Sequence, residues 1–135
     1  MIGGAGKRRT PALAVRYADE FNVPFASVQA VREQFGRVRA ACAQAGREPS
    51  SLRWSVALVL CCGRDERELR RRAEAIGREP AALRANGVAG TPAECVAAIG
   101  RYAEIGAQRF YLQTLDLDDL DHLELVAAEV APQLG

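Results

Sequence analysis

Met1-Ile2-Gly3-Gly4-Ala5-Gly6-Lys7-Arg8-Arg9-Thr10 opens the chain, and its reading decides the fold. An apolar residue, a run of small residues and then a polar stretch spell the end of a buried strand, a tight turn and the start of a helix. Glycine lets a backbone approach another group closely. The first turn of a helix leaves N–H groups free to meet an anion. The turn therefore has two readings, a plain strand-to-helix connection or a cradle for a phosphate. Lys7, Arg8 and Arg9 add cations at the helix end that already favours negative charge. They read equally well as a frayed basic terminus. Hardly any strand lies before the turn, which raises the expectation that something normally precedes this segment.

Working outward, the spacing predicts a helix over 10–17, with Thr10 as N-cap and Pro11 at the first helical position. Residues 18–23 read as a short strand closed by Pro24. Ser27 is the expected cap of a helix whose stripe is Val28, Val31, Phe35, Val38 and Cys42, at spacings of three and four. Gly46 stops it and Pro49 follows. Residues 52–62 are nearly continuous and apolar, as in a parallel strand buried on both faces. Its larger residues (Trp54, Val56, Leu58, Leu60) alternate with smaller ones (Ser55, Ala57, Val59, Cys61), so the first set is expected against helices and the second toward an interior. Asp65 caps a charged helix ending at Gly77, a short helix spans 80–86, and 87–92 reads as a loop leading into a Thr-Pro helix start. Val96, Ile99 and Tyr102 mark the face of that helix. The last strand is expected at 109–115 and the last helix from Asp118 or Asp119, with Leu123, Val126 and Val130 inward. Strand and helix alternate four times, with extra helices before the last strand. The fold class is therefore α/β, a parallel (βα)4 sheet equal to half of a TIM barrel, in one domain over residues 1–135.

Composition narrows the function. The 135 residues are 49% hydrophobic and 26% charged with a net charge of +1, so no global field points to nucleic acid. The arginines of 64–72 lie beside acidic residues and read as a solvated face. Cys42, Cys61, Cys62 and Cys95 form no CxxC pair and read as small buried apolar residues in a reducing cytoplasm. His122 is the one histidine and reads as an exposed helix residue, so no metal site is expected. Asp116, Asp118, Asp119 and Asp121 look like a cluster but sit where carboxylates stabilise a helix N-terminus. No secretory signal or membrane-spanning run is present.

Several segments, in this order and spacing, resemble the luciferase-like monooxygenase superfamily and especially its F420-dependent branch. They are IGGAG (2–6), AVRYADEFN (14–22), GREP (46–49), the strand 52–62 followed by GRDE, VAGTPAE (88–94) and GAQRFYLQTLDLDDLDHLELVAAEV (106–130). The resemblance covers nearly the whole chain but only the C-terminal half of the family's barrel. It implies a TIM barrel that binds F420, or alternatively FMN, at the C-terminal ends of its strands. The loop that helps hold the cofactor phosphate in this family corresponds to Gly3, Gly4, Ala5 and Gly6, running into Lys7, Arg8, Arg9 and Thr10. Strands one to four of the barrel have no counterpart here. A polar pair found on the seventh strand of some flavin-using relatives is Ala57 and Val59 in this chain.

The remaining pocket candidates are Asn22, Ser55, Ala57, Val59, Tyr111 and Gln113. Asn22 reads either as a turn residue before Pro24 or as a strand-end group at the active face. Ser55, Ala57 and Val59 read as interior lining, and Tyr111 and Gln113 as pocket groups or barrel filling. Trp54 reads as core. No residue stands out as a general acid or base. Three functions follow: a luciferase-like oxidoreductase acting on a small organic substrate; a half-barrel that works only as a homodimer or with a separate N-terminal half; and a cofactor- or anion-binding module without chemistry.

Overall fold

The structure, a computed structural model, describes residues 1–135. Five strands alternate with helices: β1 Ile2–Gly3, α1 Arg9–Tyr17, β2 Glu20–Pro24, α2 Val28–Gln44, β3 Arg53–Cys62, α3 Glu66–Ala75, α4 Pro80–Asn86, β4 Val88–Gly90, α5 Pro92–Glu104, β5 Arg109–Gln113 and α6 Leu120–Glu129. β1 pairs with β2, β2 with β3 and β3 with β4, all parallel, and β5 also pairs with β3. The expected parallel α/β sheet is present. The strand β4 is an addition, since 87–92 reads as a loop; Leu60, Cys61 and Cys62 of β3 pair with Val88, Ala89 and Gly90. A three-residue strand is too short to show an alternation.

The chain divides into two compact units, Met1–Ala57 with Tyr102–Tyr111, and Leu58–Arg101 with Leu112–Gly135. The first unit is built on an aromatic cluster. Phe21 of β2, Phe35 of α2 and Trp54 of β3 meet edge to face, with ring centroids 5.0–6.3 Å apart. Arg39 lies over Trp54 at 4.7 Å and donates to the carbonyl of Ile105. Of the expected stripe, Val31, Phe35, Val38 and Cys42 are buried and Val28, in the first turn, is half-buried, and Ser27 accepts from the N–H of Ala30 as the cap of α2. Arg47, in the GREP segment, ties off the end of α1 by donating to the carbonyls of Ala14, Val15 and Ala18. The Ala14 carbonyl also accepts the Ala18 N–H at 3.0 Å, and Arg47 supplies donors to the Val15 and Ala18 carbonyls beyond the reach of the helix's own ladder.

In the second unit Cys61, Leu69, Ala73, Leu83 and Ala89 form a core cluster. Asp65 caps α3 as expected, accepting from Glu68 N–H at 2.8 Å. Thr91 and Glu94 form a reciprocal capping box at the start of α5. Two sequence expectations are corrected here. The arginines of 64–72 are not all solvated, because Arg72 is 4% exposed and held by Asp119, Asp121, Glu68 and the carbonyl of Cys62. His122 is also buried at 4% and accepts from the N–H of Cys62 at 2.9 Å. The backbone at the end of β3 therefore has both its polar groups satisfied by side chains in place of a strand neighbour. Placing His122 inward rotates α6: Leu125 and Val130 are buried, and Leu123, expected inward, is exposed.

Candidate functional site

In parallel βα folds the ligand site lies at the C-terminal ends of the strands. In the first unit that end is made by the turn after β1 and the chain after β2. The turn is tightly tied. Gly3 pairs with Asn22, and Gly4 donates its N–H to the Asn22 carbonyl at 3.1 Å. Gly4 has φ +135°, a conformation that L side chains rarely adopt. A Cβ on Gly6 would strike the hydroxyl of Thr10. The side chain of Gln34, buried on α2, donates to the Gly6 carbonyl at 2.9 Å.

Thr10 is not the helix cap. The helix begins at Arg9, Arg8 occupies the cap position, and no side chain bonds the first-turn amides. Thr10 instead stands inside the first turn, with its hydroxyl and methyl against the glycines and Pro11 buried behind it. The N–H groups of Ala5, Gly6, Lys7 and Arg8 meet no acceptor in the protein. The side chains of Lys7, Arg8 and Arg9 are exposed and carry no ion pair. Open amides, unpaired cations and a floor of glycine are together the donor set that a phosphate requires.

At the same end of the sheet, Phe25 follows β2 with φ +51°, its ring half exposed and its N–H held by the Ala57 carbonyl at 2.7 Å. Sequence reasoning passes over it, since a phenylalanine after Pro24 carries no signal for a left-handed backbone or an outward ring.

The pocket candidates fall in different places. Asn22 is the centre of β2, not its end, and its Nδ2 donates to Ser55 Oγ at 2.9 Å. Ser55 in turn reaches the Phe21 carbonyl at 3.4 Å. Ala57 is half-buried at the end of the β2–β3 pairing. Tyr111 is the centre of β5, and its hydroxyl reaches back to donate to Glu20 at 2.9 Å while Arg109 pairs with the same carboxylate at 2.7 Å. Glu20 and Arg109 are the first residues of their strands, so this trio sits at the end opposite the glycine turn and acts as a clamp. Burial pushes the Glu20 carboxyl up, but hydrogen bonds from Ser55 and Tyr111 and the Arg109 charge outweigh it and hold it below its ordinary value. Neither Glu20 nor Arg109 is a candidate in the sequence, because a strand-start pair has no motif. In the second unit Val59 is half-buried and Gln113 exposed. There the aspartates are engaged: Asp119 caps α6 by accepting from His122 N–H and pairs with Arg72, and Asp121 pairs with Arg64 and Arg72.

Comparison with known proteins places these observations. The family model described as luciferase-like monooxygenase matches residues 1–81. No curated protein matches the sequence. Among solved structures the chain is similar to an F420-dependent secondary alcohol dehydrogenase in complex with an F420–acetone adduct, with a TM-score of 0.80 and 16% identity over 98% of this chain and 48% of that one. It is also similar to the coenzyme F420 dependent tetrahydromethanopterin reductase from Methanopyrus kandleri, with a TM-score of 0.77 and 15% identity over 98% and 50%. A riboflavin lyase solved with modified FMN matches at a TM-score of 0.78 and 16% identity over 98% and 41%. The chain spans at most about half the length of each of these structures. At these identities the likeness is one of fold, an α/β fold like that of the TIM-barrel enzymes it matches.

Proposed function

We propose, for a chain that belongs to the luciferase-like monooxygenase family, that residues 1–135 are one C-terminal half-barrel domain of an F420- or FMN-dependent oxidoreductase. The observation that carries this reading is the glycine turn, with free amides from Ala5 to Arg8 and three unpaired cations beside them. These residues fit the phosphate end of either cofactor. Gly3, Gly4, Ala5 and Gly6 would form the floor, Lys7, Arg8 and Arg9 would neutralise the charge, and Thr10 would set the floor's shape. When bound, such a cofactor supplies redox chemistry at a small organic substrate, by hydride passage or oxygen activation. The chain's part is to bind, to orient and to exclude water. Of the pocket candidates, Ala57 stands at the turn's own end of the sheet, where the ring of Phe25 adds an apolar wall, while Asn22 and Ser55 bond each other within the first unit and Tyr111 serves the clamp. F420 is preferred over FMN on the resemblance to the F420-dependent branch. The four unpaired cysteines favour a cytoplasmic setting; no helix is long and apolar enough to cross a membrane.

Titration with F420 and FMN tests the reading. Binding by the wild-type chain is expected, and replacing Lys7, Arg8 and Arg9 by alanine is expected to weaken it and flatten its salt dependence. Unchanged affinity in the triple variant removes those residues from the site.

A second reading concerns assembly. The chain spans at most about half the length of the structures it matches, Ala57 and Val59 are only half-buried on β3, and Leu117 and Leu120 are exposed at 76% and 63%. These favour a barrel completed by a second copy or by a separate N-terminal half. Absolute mass by light scattering distinguishes a dimer from a monomer that awaits its other half. If cofactor binds without turnover in the completed assembly, the chain is a binding module.

A further inference from the structure

The Gly6 carbonyl is turned into the protein by a side chain 28 residues away in sequence. Gln34 is 2% exposed on α2, and its Nε2 donates to Gly6 O at 2.9 Å. Its Oε1 accepts from Arg37 Nη1, also at 2.9 Å, and Arg37 reaches Glu33 at 3.4 Å. An amide side chain has one donating and one accepting end, whereas a guanidinium only donates. Arg37 therefore takes the oxygen end and leaves the NH2 end for Gly6. The peptide after Gly6 is trans, so its C=O and the following N–H point to opposite sides. Holding Gly6 O inward sends the Lys7 N–H outward, to the open side of the turn. The Thr10 hydroxyl fills the space where a Gly6 Cβ would lie and blocks the turn from shifting on that side.

We propose that Gln34 is a positioning residue for the anion-binding turn: it fixes the Gly6–Lys7 peptide so that the Lys7 N–H faces the cofactor phosphate, and Arg37 sets the polarity of the Gln34 amide. This rests on the phosphate role proposed above for the turn. Neither residue touches the ligand. Gln34 lies on a different helix from the cations, so its effect is separable from theirs. Its removal leaves the charge of the site intact and changes only the direction of one donor.

The test compares ligands that differ only in the phosphate. FMN and riboflavin are titrated by flavin fluorescence against the wild-type chain, Gln34→Met, Gln34→Glu and Arg37→Met, with circular dichroism as the check on folding. F420 and its phosphate-free chromophore are treated in the same way. Gln34→Met keeps the length of the side chain and loses the donor, and about a tenfold loss of FMN affinity is expected with riboflavin unchanged. Gln34→Glu aims an acceptor at a carbonyl and is expected to lose more. Arg37→Met lets the amide turn over and is expected to lose part of the affinity. Equal FMN affinity in wild type and Gln34→Met overturns the proposal, and so does an equal loss for FMN and riboflavin, which marks a general packing role. If Gln34 variants fail to fold, Arg37→Met decides, since Arg37 is partly exposed and bears on the same peptide. A wild-type chain that binds neither FMN nor F420 overturns the reading of the turn, and the role of Gln34 falls with it.

Discussion

The guanidinium of Arg72 meets three carboxylates and one carbonyl with 4% of its side chain exposed. Arg72→Met would leave Asp119 without its counter-charge and the Cys62 carbonyl without its side-chain donor, and a loss of about 3–5 kcal/mol is expected in the free energy of unfolding measured by denaturant titration. His122 makes a different prediction. Burial, helped by the nearby Arg72 charge and opposed by Asp119, Glu68 and Asp116, holds its imidazole below the ordinary value of 6.5. The unfolded chain then takes up a proton before the folded one does. Stability from this group is full above about pH 6.5 and falls as the pH drops below it, toward the folded value. His122→Gln keeps an acceptor for Cys62 N–H and is expected to flatten thermal stability between pH 5 and 7. An unchanged slope would remove His122 as its source. The carboxyls of Asp119 and Asp121 are lowered by Arg72 and Arg64, and their contribution is lost in a separate window, below pH 3.8. None of this is legible in the sequence. A histidine at position 122 has the same letter whether α6 turns it in or out, and what turns it in is a backbone N–H on β3.

Elements were more legible than residues where local chemistry fixes them. Ser27 and Asp65 cap their helices through their own side chains, and the stripe of α2 is set by its 3.6-residue period. Ser27→Ala is expected to cost about 1 kcal/mol of thermal stability, and Thr91→Ala about as much by opening the capping box of α5. At the start of α1, Thr10 and Pro11 have the letters of a cap and a first helical residue, but Thr10 is the second residue of the helix and packs against Gly4 and Gly6. The glycine at 63 shows an element boundary set by space. A Cβ there would lie 2.5 Å from the backbone nitrogen of Leu69, so Gly63→Ala has to push α3 away from the end of β3. The expected outcome is a loss of about 1–3 kcal/mol by thermal melt, larger than for alanine at Gly36, which meets nothing within 4 Å.

At the scale of the molecule, the parallel order of strands was readable because β3 is apolar on both faces and helices separate every pair of strands. What the pattern could not give was the short β4 or the polar clamp of Glu20, Arg109 and Tyr111, which arises only when the first residues of β2 and β5 are brought together. Arg109→Ala is expected to leave any cofactor affinity unchanged while lowering the melting temperature, since the clamp stands away from the turn; a selective loss of affinity would move the site. The placement of the cysteines has a use beyond packing. Cys42 belongs to the first unit and Cys61, Cys62 and Cys95 to the second, and all four are buried. Burial pushes the Cys42 thiol up and Cys61 to about 11, so neither reacts with an alkylating reagent until its surroundings part. Mass spectrometry of chains exposed briefly to iodoacetamide therefore works as a pair of clocks, one in each unit, timing how often each opens in the native protein.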